Sequence, residues 1–372
     1  MGQGCLLWGF LQLKEIAMSK NLMQVDPDGA CRPRPALRLV KTTEINRDQW
    51  LEVRRGGIGS SDAAAAVGLN PFRSQLELWL VKTGRDLTLC SQEDRPVEDE
   101  STPTYWGTLL EPIVAAHYTK RTGNRVRRLN AVLQHPDVPW MLSNIDREVL
   151  GCPQVQLLEC KTAGIQGSRL WQDGVPEYVQ LQVQHQLAVT GKQAADVAVL
   201  LGGQELRIHR IARDEALIRN LMELEAQFWR YVETDTPPPA DGSDSANHAL
   251  RCLYPRDRGE VLDLRQDFEM SAAFSDLLAV RQVLDAQTTL EAQLKQRIQQ
   301  RMGEASVALF DGGEVSWKRS NDSQTLDIER LQREQASMLS NYQRVQPGSR
   351  RFLVRTPKSS GLKTNMTNTV KD

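Results

Sequence analysis

No run of about eighteen apolar residues occurs in the 372-residue chain, which excludes a conventional membrane-spanning helix. The short apolar segment Leu6 to Leu13 lacks the basic start and small-residue cleavage pattern of a secretory signal, so a soluble, cytoplasmic protein is expected, with Met18 as an alternative start. Cysteine is sparse and scattered: Cys5, Cys31, Cys90, Cys152, Cys160 and Cys252 show no Cys-x-x-Cys spacing. A zinc knuckle, an iron–sulfur cluster and a secreted disulfide framework are thereby disfavoured. The five histidines, His117, His135, His185, His209 and His248, also lack ligand spacing and read as structural or exposed. Nor is there an excess of either charge sign, since 46 basic and 47 acidic residues leave a net charge of −1. The chain is no passive nucleic-acid coat, and any polyanion must be met by local patches. One such cluster is Lys120-Arg121 with Arg125, Arg127 and Arg128, another is Arg350-Arg351 with Arg355 and Lys358, and Glu93 to Glu100 forms an acidic stretch.

What is present centres on Val155 to Lys161, a run of strand character in which alternation sets Glu159 and Lys161 on one face and Leu158 and Cys160 on the other. Taken alone, Glu-x-Lys on a strand is a weak signal, because exposed ion pairs of this kind are common. Its surroundings strengthen it. Trp140 to Leu150 reads as a second strand carrying Asp146, and Gly151-Cys152-Pro153 supplies the turn of a hairpin that brings Asp146 to Glu159. Upstream, Tyr105 to Thr122 has a helical apolar period in Leu109, Leu110, Ile113, Val114 and Tyr118, stops at Gly123-Asn124, and carries Glu111. Read by itself, Glu111 is a solvated helix-face charge. Together, three carboxylates and one ammonium suit a metal-dependent phosphodiesterase. A hard cation such as Mg²⁺ takes one or two carboxylates plus water and phosphate oxygens, and an ammonium nearby can orient water or stabilise charge on phosphorus.

A second constellation lies earlier. Gly56, Gly57 and Gly59 leave backbone accessible, Ser60, Ser61 and Asp62 offer N-cap chemistry, and Ala63 to Val67 has helix-forming composition, so an anion-binding helix terminus is expected beside Arg54 and Arg55. A tight turn with a capped helix is the plainer alternative.

Several short motifs in this order resemble the YqaJ-type viral recombinases, relatives of lambda exonuclease within the PD-(D/E)xK nuclease superfamily. The resemblance spans about residues 46 to 235. It rests on Trp50, Arg54, Gly57-Ile58-Gly59-Ser60-Ser61-Asp62-Ala63-Ala64-Ala65, Trp106-Gly107 with Glu111-Pro112, Asp146, Glu159-Cys160-Lys161 and Gln182-Val183-Gln184-His185. It implies Glu111, Asp146, Glu159 and Lys161 as the catalytic set, with Asp146, Glu159 and Glu111 toward the metal. Arg54 and Ser61 would contact a 5′ phosphate, and Gln182 is a further phosphate-binding candidate. The implied cofactor is Mg²⁺, with Mn²⁺ as a substitute. The implied task is resection of linear double-stranded DNA ends for a single-strand annealing partner, in a phage- or prophage-encoded protein of a bacterial cytoplasm. A closed homo-oligomeric ring is implied by analogy. Two departures stand out: Tyr178 lies four residues before Gln182 where lambda exonuclease has a tyrosine three before, and Ser143-Asn144-Ile145-Asp146 replaces the Ser-Pro-Asp-Gly of many relatives. A structure-selective or site-specific endonuclease, and a catalytically silent DNA-binding scaffold, remain alternatives.

The expected fold is α/β, a mixed central sheet flanked by helices. Val175-Pro176-Glu177 opens a helix closed by Gly191, Ala194 to Leu201 and Glu205 to Ile211 form a hairpin around Gly202-Gly203, and Asp214 to Glu233 is an amphipathic helix with Leu217, Ile218, Leu221, Leu224, Phe228 and Trp229 inside. The domain reading is an irregular extension over 1–45, a nuclease domain over 46–235 and a proline-rich linker over 236–249. A C-terminal region follows over 250–356, with a helix or bent helical pair from Phe268 to Met302 and a small hairpin around Asp311-Gly312-Gly313. The tail, 357–372, reads as disordered.

Overall fold

A computed structural model describes residues 35–85, 102–339, 342, 348 and 350–355. The extension before residue 35, the acidic stretch Glu93 to Glu100 and the tail 357–372 lie outside the described residues. The chain divides into two compact units, Met1–Tyr254 and Pro255–Asp372.

In chain order the first unit contains β1 (Leu37–Lys41), α1 (Arg47–Arg55), β2 (Ile58–Gly59), α2 (Ala63–Ala66), α3 (Gln75–Lys82) and α4 (Pro103–Thr122). There follow β3 (Arg125–Arg128), β4 (Ala131–Gln134), β5 (Met141–Ser143), β6 (Arg147–Leu150), β7 (Leu157–Ala163), α5 (Glu177–Thr190), β8 (Ala194–Leu201), β9 (Glu205–Ala212), α6 (Glu215–Glu233) and α7 (Asp244–Leu253). Local chemistry sets the helix ends. The Thr102 hydroxyl accepts the Tyr105 N–H and Pro103 opens α4, where a missing donor costs nothing; Gly123, at φ 76°, closes it in the left-handed region. Asp214 caps α6 by accepting the N–H groups of Ala216 and Leu217, both at 2.9 Å.

Two sheets result. One runs β1-β4-β5-β2 and the other β3-β6-β7-β8-β9, with β7 and β8 parallel and the remaining pairs of the larger sheet antiparallel. A parallel pair needs a crossover, and α5 is that connection. Strand alternation then splits the core into layers. Leu157, Val197 and Val199 pack with Val179, Val183 and Leu187 of α5, whereas Leu158 and Ala198 pack with Val114, Ala115 and Tyr118 of α4. Helix α4 therefore covers one face of β7–β8 and α5 the other, the expected mixed sheet flanked by helices.

Some expectations are corrected. Trp140 to Leu150 is not one strand: β5 joins the smaller sheet and β6 the larger, with Asp146 in the break before β6. Helix α4 seats Val114, Ala115 and Tyr118 and leaves Leu109 and Ile113 about half exposed, because only the stripe over β7 is covered. The first unit extends through Tyr254, past the linker expected over 236–249. Helix α7 accounts for this: Ala249 joins Leu76, Leu78 and Trp79 of α3 in one cluster, and the Ser245 hydroxyl donates to Glu77 Oε2 at 2.6 Å.

The second unit holds α8 (Phe268–Met302), the antiparallel hairpin β10 (Val307–Phe310) and β11 (Gly313–Ser316), α9 (Ile328–Glu334) and α10 (Ala336–Leu339). Between the expected helix and the bent pair, the structure has one continuous helix of 35 residues capped by Asp267. Met302 is buried, while Val283, Leu290 and Leu294 are exposed by about half. Among the described residues no helix is long and apolar enough to cross a membrane.

Candidate active site

Strand β7 presents Glu159 and Lys161 toward α5, since both share the face of Leu157. Burial of a carboxylate needs full satisfaction, and Glu159 has it. Its Oε1 accepts from Gln182 Nε2 at 2.6 Å and from the Lys161 ammonium at 2.8 Å, and its Oε2 accepts from Gln186 Nε2 at 2.7 Å. Gln182 Oε1 in turn accepts from Lys161 Nζ at 2.8 Å. Residues 182 and 186 are one helical turn apart, so α5 grips both oxygens of one carboxylate. Gln182, expected at a phosphate, is engaged with both Glu159 and Lys161. Gln186 was not anticipated; its spacing of four from Gln182 was the available signal.

Asp146 meets this network from the break before β6. The register Arg147↔Leu158 and Glu148↔Leu157 places it beside β7, where its Oδ2 accepts the Cys160 N–H at 2.9 Å. Burial first, and then the neighbouring charges of Glu159 and Glu111, raise the Asp146 pKa to about 8 against the opposing Cys160 N–H and Lys161 ammonium. Burial would push the Lys161 ammonium down, but Glu159 and Asp146 reverse the direction and hold it protonated.

Glu111 reaches Asp146 from the other side of the sheet. Arg147, paired with Leu158, shares the α4 face, and its guanidinium binds Glu111 Oε1 at 2.5 Å and the Asp146 carbonyl at 2.7 Å. Arg147 is itself buried, a functional candidate that sequence reading passed over because an Asp-Arg-Glu run looks like solvated surface. Among the described residues no group of three or more His, Cys, Asp or Glu side chains is disposed to hold a metal ion. Glu159 is held by side chains of α5 and Glu111 by Arg147, and the charges of both act on Asp146. The donors remain chemically suited to a hard cation. Two acidic side chains, Asp146 and Glu159, are compatible with Mg²⁺, which completes its shell with water and phosphate oxygens.

The glycine-rich turn brings Arg54 and Ser61 together as expected. Arg54 Nη2 donates to Ser61 Oγ at 2.7 Å and to Asp62 Oδ2 at 3.2 Å, and its guanidinium stacks 4.8 Å from the Trp50 ring. Gly57 is required here, because a Cβ would lie 2.5 Å from the Trp140 carbonyl. The anion-binding helix terminus is corrected. Helix α2 has four residues, all buried, and the protein's own Asp62 carboxylate occupies the position, accepting the Gly59 N–H at 3.2 Å. Burial would push Asp62 up, yet Lys82 at 2.7 Å, Arg54 and Arg73 at 3.7 Å together hold its carboxyl well below the usual range.

His185 is structural. Its Nε2 faces the Leu142 carbonyl at 2.9 Å and its Nδ1 the buried Glu225 at 2.7 Å, tying α5 to β5 and α6. Glu225 lies in the apolar stripe predicted for α6, and nothing in the helical period distinguished it from a surface glutamate.

A family model described as a YqaJ-like viral recombinase domain matches residues 49–193. The uncharacterized protein YqaJ of Bacillus subtilis (strain 168) is 34% identical over 286 residues, covering 75% of this chain and 86% of that protein. Among solved structures, the alkaline exonuclease LHK-Exo from Laribacter hongkongensis superposes with a TM-score of 0.42 at 23% identity, over 50% of this chain and 93% of its own. A phage related exonuclease from Haemophilus somnus 129PT gives 0.35 at 10% identity, over 48% and 94%. With the identity to YqaJ extending over most of that protein, and the family match enclosing Glu111, Asp146, Glu159, Lys161 and Gln182, the chain belongs to the YqaJ family.

Proposed function

We propose that this protein is a metal-dependent deoxyribonuclease of the phage recombination type, which resects linear double-stranded DNA ends. The observation that carries the reading is the seating of Asp146 on the Cys160 N–H beside a Glu159 whose oxygens are held by Lys161, Gln182 and Gln186. Asp146 and Glu159 would hold Mg²⁺, or Mn²⁺ in its place, which supplies Lewis-acid stabilisation of phosphoryl oxygens and acidifies water. Glu111, its carboxylate held by Arg147, assists the metal or water. Lys161, protonated, orients water or neutralises charge developing on phosphorus. Arg54 and Ser61 bind a terminal phosphate, with Arg54 pre-positioned by Asp62 and Trp50. The solved exonucleases named above are consistent in kind. The products belong with a single-strand annealing partner, and a homo-oligomeric ring would keep the enzyme on its track.

The deciding experiment compares linear duplex with covalently closed circles, with and without Mg²⁺. Mg²⁺-dependent loss of linear DNA alone is expected. Cutting of circles would make the protein an endonuclease, and DNA binding without cleavage under any divalent cation would make it a scaffold.

A further inference from the structure

Phe72 lies on the turn between α2 and α3. Its N–H and that of Arg73 both donate to Asn70 Oδ1, at 2.8 and 3.2 Å, which fixes the turn backbone. The side chain points outward and is 65% exposed. Its ring meets Tyr178 edge to face, with centroids 5.6 Å apart and planes at 87°. Tyr178 sits one helical turn before Gln182 on α5, so the two share a face, and Gln182 Oε1 accepts from the Lys161 ammonium at 2.8 Å. Phe72 is followed in the chain by Arg73, whose guanidinium pairs with Glu77 at 3.2 Å and lies 3.7 Å from the Asp62 carboxylate that also holds Arg54. The aromatic pair is therefore linked to the catalytic lysine through α5 and to the Arg54–Ser61 pair through Asp62.

An apolar ring held in water by a rigid turn, among cations that attract phosphate, has the chemistry to receive a flat, apolar-faced group attached to that phosphate. We infer that Phe72, backed by Tyr178, is a stacking platform for the base of the terminal nucleotide engaged at this site. The inference rests on the DNA-nuclease reading and extends it by assigning a base-binding subsite. Because every base has a π-face, the platform would be indifferent to sequence.

Binding is measured by fluorescence in EDTA, where cleavage is blocked, using duplexes with 2-aminopurine as the 5′-terminal or the 3′-terminal base and matching duplexes with an abasic end. Wild type and Phe72→Trp should quench the probe at one terminus, whereas Phe72→Ala and Phe72→Leu should not. Phe72→Ala should bind roughly tenfold more weakly, and that difference should vanish at an abasic end. Undiminished quenching by Phe72→Ala, or equal loss on abasic and intact ends, overturns the platform while leaving Mg²⁺-dependent cleavage to stand. Failure of folded wild type to bind DNA overturns both readings. Phe72 is mostly exposed, so these variants should fold, and matching thermal melts verify it.

Discussion

At the scale of single residues, the decisive chemistry is a buried aspartate kept near charges of its own sign. The Asp146 pKa, raised to about 8 from 3.8, means that between those values the folded metal-free protein keeps a proton that the unfolded chain has lost. Stability conferred by this residue therefore falls as pH rises through that window. Asp146→Asn, which retains an acceptor for the Cys160 N–H, should melt higher than wild type at pH 8 without metal, by at least about 2–4 °C if as little as ~1 kcal/mol is recovered. Adding Mg²⁺ should raise the melting temperature of wild type and leave the variant almost unmoved. Calorimetry at pH 5 and pH 8 checks both, and a metal response retained by Asp146→Asn removes Asp146 from the metal site. Lys161→Ala should lower kcat by at least ~10²-fold. Gln186→Leu strips the partner from Glu159 Oε2 and should cost about 10–100-fold in metal affinity or rate; kinetics across Mg²⁺ concentrations separate the two. The sequence made Asp146, Glu159 and Lys161 legible because strand alternation and a turn suffice to bring them together. Arg147 and Gln186 were not, because their roles follow from which face of β7 each neighbour occupies, and only the tertiary register determines that.

Among elements, α5 and the Gly57 turn do the positioning. Helix α5 carries buried polar side chains on several sides, each with a partner: Gln182 and Gln186 at Glu159, Gln184 at the Ala212 carbonyl, His185 at Glu225 and Leu142. A helix period alone recovers its existence and its Gly191 end, but not these partners, which come from β5, β7, β9 and α6. In the Gly57 turn, removal of the Asp62 charge leaves the buried Lys82 ammonium without its carboxylate and takes one of its partners from Arg54. Asp62→Asn should accordingly destabilise the first unit by about 3–5 kcal/mol in urea unfolding, and it should weaken phosphate-end recognition even where the protein remains folded. Wild-type stability at neutral pH would show that the three cations are held by other means. The depressed Asp62 pKa has the opposite sign to that of Asp146: its stabilisation is present above the ordinary carboxylate range and is lost only as pH falls through the lowered value.

For the whole molecule, the proposed site lies in the first unit, where α4 and α5 cover opposite faces of β7 and β8 and Asp146 sits where β5 and β6 part. The class of fold was readable from the order of helices and hairpins. The parting of β5 from β6 was not, since Trp140 to Leu150 is continuous in strand character and only pairing partners divide it. Nor was the true end of the unit, because three prolines suggested a boundary that α7 crosses by packing Ala249 on α3. The central claim is that Asp146 and Glu159 make this fold a metal-dependent nuclease. Its most direct test is digestion of linear duplex DNA by wild type, Asp146→Asn and Glu159→Gln, each in Mg²⁺ and in EDTA, with circular dichroism verifying that all three are folded. Strand loss by wild type in Mg²⁺ alone, with both variants inactive, is the predicted result; wild-type rates in either folded variant, or digestion that persists in EDTA, would contradict it.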